Sequence, residues 1–68
     1  MNKTQPQVGD AIRVSWPGER ELVEFPIGVI RPDKDGVMCA VFGRDGTIGA
    51  EAVEDLVWDE ERKAWIKQ

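Results

Sequence analysis

Turn-forming residues punctuate this chain so often that only brief extended segments fit between them. Gly9-Asp10, Pro17-Gly18, Pro26 with Gly28, the run Pro32-Asp33-Lys34-Asp35-Gly36, and Asp45-Gly46 each break the backbone. Glycine supplies positive φ, proline removes a donor, and aspartate bonds back to its own main chain. What lies between is β-rich. Ala11 to Trp16 alternates, with Ile12, Val14 and Trp16 on one face and Arg13 and Ser15 on the other. That period of two predicts a strand. Leu22 to Arg31 reads as extended, with Val23, Phe25, Ile27 and Val29 in phase. Pro26 cannot donate to a ladder, so this segment is an edge or carries an irregularity before Gly28.

Val37 to Phe42 is apolar on both faces and is closed by Arg44-Asp45-Gly46. An Asp-Gly pair favours a two-residue hairpin turn, so Thr47 to Ala50 can return as a strand. Ala52 to Leu56 is short enough for one helical or 3₁₀ turn near 52–56. Val57-Trp58-Asp59 and Ala64-Trp65-Ile66-Lys67 flank the charged stretch Glu60-Glu61-Arg62-Lys63. A terminal hairpin over 57–67 would set Trp58 near Trp65 across the strands. The alternative is one helix over 50–67, with Ala50, Val53, Leu56 and Val57 on a stripe. The bulky, strand-favouring pairs Val57-Trp58 and Trp65-Ile66 favour the hairpin.

The chain has 68 residues, which is one small domain with a marginal core. Residues 1–7 read as a flexible polar tail and 8–68 as the single domain. A sandwich needs more material, so the expectation is an all-β barrel of five or six antiparallel strands. Closing the sheet would remove exposed edges. Cys39 is the single cysteine and there is no histidine. No intrachain disulfide can form, no zinc site can be built, and neither a metal nor a cofactor is expected. Self-association is then the natural added source of stability, so a homo-oligomer is expected.

Gly9-Asp10-Ala11-Ile12-Arg13-Val14 resembles the Gly-Asp-x-Val-Arg-Val opening of SH3-like barrels, including KOW and Tudor-type modules. Gly28-Val29 sits where that pattern often has Gly-x-Val. Val41 to Gly46, followed by Val53-Glu54-Asp55-Leu56, is similar to the Tudor-like strand, Asp-Gly turn and helical turn. The resemblance covers most of residues 8–58 and implies an SH3-like barrel. The type II dihydrofolate reductases, which are homotetramers, share this layout. Their pore carries Val-Gln-Ile-Tyr just before the helical turn. Here that stretch is Thr47-Ile48-Gly49-Ala50, without the Gln or the Tyr, so no catalytic residue carries over.

The formal net charge of −4 disfavours sequence-independent nucleic-acid binding, which needs clustered cations. A local face of Arg13, Arg20, Arg31, Lys34 and Arg44 keeps a nucleic-acid accessory role as an alternative. No apolar run approaches the ~20 residues of a membrane span. Residues 1–7 lack the apolar middle of a signal peptide. A reduced cytoplasmic setting is the default. Without histidine the usual general base is missing. Cys39 reads as a small buried hydrophobe. Asp33-x-Asp35-Gly36 lacks the distal Glu of a calcium loop. Enzyme chemistry by the chain alone is therefore not expected.

Binding features are better represented. Trp16, Phe25, Phe42, Trp58 and Trp65 could line a groove for a Pro-rich or cationic peptide; equally, they could close the core. By the Tudor-like register, Val37, Cys39 and Val41 point inward and Met38, Ala40 and Phe42 outward. An outward apolar stripe should be covered, by a second copy, another protein or the 57–67 hairpin. The expected function is a non-enzymatic protein-interaction or assembly module that self-associates through that face. Its partner-binding residues would be Trp16, Phe25, Met38, Phe42, Trp58 and Trp65. The alternatives are an oligomeric small-molecule binder or enzyme with a pore, and the nucleic-acid role.

Overall fold

The computed structural model describes residues 3–68. It is all-β, with seven strands: β1 (Ala11–Val14), β2 (Val23–Pro26), β3 (Val29–Pro32), β4 (Met38–Arg44), β5 (Thr47–Ala52), β6 (Leu56–Asp59) and β7 (Ala64–Lys67). A 3₁₀ turn, Val53–Asp55, joins β5 to β6. The strands form two sheets, ordered β2-β1-β7-β6 and β3-β4-β5.

Three expectations need correction. The sheets are not closed into a barrel, and there are seven strands rather than five or six. The segment Leu22–Arg31 is the reason. Pro26 ends β2, and the next two amides go to different sheets. Ile27 donates to the Asp10 carbonyl (2.9 Å), while Gly28 donates to the Val41 carbonyl (2.8 Å). One extended stretch thus becomes two strands at a sheet-switching corner. The strands are also not all antiparallel. β7 lies parallel to β1, with Ile12 beside Trp65 and Arg13 beside Ile66.

The terminal hairpin forms as β6 and β7, with Trp58 directly opposite Trp65. Their rings meet at 5.4 Å and 64°, an edge-to-face contact that contributes roughly 0.5–1.5 kcal/mol beyond area burial. Asp59 caps the turn: its Oδ1 accepts from the Glu61 and Arg62 amides. The β4–β5 turn places Asp45 at φ 53° and Gly46 at φ 81°, as a type I′ hairpin requires. Asp33 organises the β3–β4 turn, where its Oδ1 accepts from the Asp35 and Val37 amides.

The core joins the two sheets. Ile12, Val14, Trp16, Phe25, Ile27, Ala40, Phe42, Leu56, Ala64 and Trp65 are buried. Met1 and Asn2, part of the segment read as a tail, lie outside the described residues. Within the rest of that segment Pro6 is buried. Asp10 receives the Gln7 amide and the Lys3 ammonium, both at 3.0 Å.

Candidate interaction face

The orientation of β4 is the reverse of the expected one. Ala40 is fully buried and Phe42 is 5% exposed, so their side of β4 faces the core. Cys39, Val41 and Gly43 take the other side. Phe42 is held inward by an aromatic cluster that the Tudor-like register did not anticipate. Its ring stacks on Phe25 at 5.4 Å and lies 6.1 Å from Trp16. Gly49, opposite Phe42 on β5, makes room for these rings. A Cβ there would meet Phe42 Cε2 at 2.7 Å and Trp16 Cζ3 at 3.2 Å.

The six residues named as partner-binding therefore divide. Trp16, Phe25, Phe42 and Trp65 are buried and present little surface to any partner. The Arg44 guanidinium covers the cluster, about 6 Å from the Trp16 and Phe25 rings, and is held by Glu19 at 2.9 Å. Trp58 is half-buried. Lys3 lies 5.4 Å from its ring, and its Nε1 donates to Glu60. Met38 is exposed, at the start of β4.

An apolar surface on β4 exists nonetheless, built from other residues. The register sets out the outer face of the three-stranded sheet in rows. Val29, Val41 and Ala50 form one row; Arg31, Cys39 and Ala52 form the next; Gly43 lies beside Ile48. Ile48 is 71% exposed and Val29 40%. Among the described residues, no strand puts a carboxylate on this face. Gly43 is required where β4 crosses its own hairpin, because a Cβ there would fall 2.2 Å from the Thr47 carbonyl oxygen.

Two shallow depressions mark the face, with Val41 shared between them. One, of about 430 Å³, is lined by Val29, Val41, Gly43, Arg44 and Ile48 among others. The other, of about 340 Å³, is lined by Arg31, Asp33, Lys34, Cys39 and Ala50. The first is apolar and the second carries the charge. The five cations considered for nucleic acid are not gathered. Arg31 and Lys34 share one depression, Arg44 lines the other and is paired with Glu19, and Arg13 lies on the other sheet.

Cys39 is half-buried on this face rather than in the core. Its Sγ lies 3.4 Å from the Val37 carbonyl and 4.0 Å from Asp33 Oδ2. Burial pushes the thiol up, and Asp33 and Glu51 add to the shift. The thiolate, which is the reactive form, is thereby disfavoured. Among the described residues no group of His, Cys, Asp and Glu could hold a metal ion. Among the described residues no helix is long and apolar enough to cross a membrane.

No protein-family model, curated protein or solved structure matches the chain. Its reading therefore rests on the geometry of this face.

Proposed function

We propose that this chain is a non-enzymatic assembly module that self-associates through the outer face of β3, β4 and β5. One observation carries the proposal: an exposed apolar sheet face, bearing Val29, Val41, Ile48 and Ala50, on which no strand residue is acidic. Monomeric proteins seldom leave such a face uncovered. A second copy is the occupant that the charge favours. Two chains of net charge −4 repel unless they meet where neither carries acids. The element order, with a 3₁₀ turn before the last hairpin, supports an SH3-like reading of the fold.

Area sets the expected strength. Three strands of about six residues, at ~4.8 Å spacing and ~3.3 Å rise, cover roughly 300 Å² per copy. Stable interfaces bury about 800 Å² per partner. Face contact alone is therefore smaller than a stable interface, and the association it gives is weak. Sedimentation equilibrium from about 10 μM to 1 mM should show mass rising with concentration. Ile48→Glu, which places a carboxylate at an exposed position, should hold the chain monomeric without loss of folding. A wild-type chain that stays monomeric throughout that range refutes the proposal.

A further inference from the structure

The β5 strand carries a second feature, at its edge. The two-residue turn Asp45-Gly46 makes Arg44 and Thr47 a hydrogen-bonded pair, and pairs then alternate along the ladder. Gly49 and Glu51 thus bond to Phe42 and Ala40 of β4. The amides and carbonyls of Ile48, Ala50 and Ala52 point the other way. Among the described residues β5 pairs with no strand but β4, and apart from the 3₁₀ turn, whose N-cap Ala52 gives its carbonyl to the first bond, no turn or loop bond reaches those three residues.

This edge lacks the proline or lysine that commonly blunts one, its single charge being Glu51. Free edges are commonly blunted by proline, lysine or a bulge. The β2 and β3 edges each end at a proline, Pro26 and Pro32, and β6 carries Asp59. β5 runs Thr47-Ile48-Gly49-Ala50-Glu51-Ala52 with no proline or lysine, and it is the longest of the four edge strands.

We infer that β5 pairs antiparallel with β5 of a second copy, about a two-fold axis at Ala50. This rests on the self-association proposed above but uses the strand edge rather than the outer face, and is a second contact between copies. The register is self-complementary. Ile48 falls opposite Ala52 of the other copy, Ala50 opposite Ala50, and Gly49 opposite Glu51. No like charges oppose one another, and the small side chains raise no steric barrier. Glu51 stays tied to Lys67 at 3.4 Å. Up to about four backbone hydrogen bonds between otherwise free groups form across the axis, the Ala52 carbonyls being shared with the 3₁₀ turn. The two outer faces, on which no strand residue is acidic, join into one six-stranded surface.

Amide hydrogen exchange as a function of concentration tests this directly. The Ile48, Ala50 and Ala52 amides should be unprotected at low concentration and at least about tenfold slower to exchange when dimer dominates. The Gly49 and Glu51 amides, already bonded to β4, should change little. That alternation is peculiar to edge pairing. In a mixed-label sample, a nuclear Overhauser effect between the Hα atoms of Gly49 and Glu51 of different copies would fix the register. Self-association without alternating protection overturns the edge pairing and leaves the broader proposal standing. Absence of self-association overturns both.

Discussion

Two glycines should respond in opposite directions to the same substitution. Gly28 and Gly49 both lie outside the positive-φ region, so alanine is conformationally allowed at either. Replacing glycine with alanine at an unstrained site stabilises by about 0.4–1 kcal/mol, because the unfolded chain loses freedom. At Gly28 the nearest atom to a new Cβ is the Val41 carbonyl oxygen at 3.7 Å, an ordinary contact. Gly28→Ala should therefore keep or slightly raise stability. At Gly49 the new Cβ would lie 2.7 Å from Phe42 Cε2 and 3.0 Å from its Cζ. The Phe42 ring cannot retreat freely, because Phe25 and Trp16 pack against it. Overpacking of this kind costs roughly 1–3 kcal/mol. Against the entropic gain, the net for Gly49→Ala is a loss of about 0–2.6 kcal/mol. Urea titrations followed by tryptophan fluorescence, at a concentration where the chain is monomeric, would separate the two. A Gly49→Ala variant more stable than Gly28→Ala would refute the account of the aromatic cluster.

Other consequences follow from the same packing. Phe42→Ala should remove about 3–5 kcal/mol, a large share of the roughly 3–10 kcal/mol available to a domain of this size, so thermal unfolding followed by circular dichroism should show a strongly lowered midpoint. An outward Phe42 would instead tolerate the change. Asp10 links the segment after residue 3, the start of β1 and Trp65. Burial pushes its carboxyl up, but hydrogen bonds from Trp65, Lys3 and the Gln7 amide together outweigh that and hold it below the usual range. A carboxylate lowered on folding adds stability above its unfolded pKa, and that contribution is lost as pH falls through the folded value. Wild type should thus lose stability below about pH 4, and Asp10→Asn should flatten that part of the profile, measured by denaturation at stepped pH. A wild-type profile unchanged by Asp10→Asn would remove Asp10 from this role.

Much of the fold was legible because local chemistry decides it. Asp45-Gly46 specified its hairpin, and Asp33 and Gly36 their turn. The pairing of Trp58 with Trp65 followed from two bulky segments around a charged turn. The face of β4 was not legible. Val37 to Phe42 is apolar at every position, so its periodicity cannot say which side is inside. Only Phe25, Trp16 and the gap left by Gly49 settle it, and those lie in other segments of the chain. The same cause moved the candidate site. The two-sided apolar pattern pointed to an apolar outer surface, but assigned it to Met38 and Phe42 rather than Val41 and Ile48. The parallel β1–β7 pair left no signal, since strand order between distant segments is set by packing.

The allocation of strands between the sheets bears on the order of folding. The sheet of β3, β4 and β5 is built from neighbours in sequence, joined by tight turns, and can assemble hairpin by hairpin. The other sheet needs β1 to meet β7 across nearly the whole chain. Closing so long a loop is slow relative to local pairing. Ile12 must therefore wait for Trp65, and the local meander, with its open β5 edge, should form first. On this view the β5 edge is available to a neighbouring chain before the core is complete. Assembly and folding would then compete for the same strand, and the outcome would depend on protein concentration during refolding.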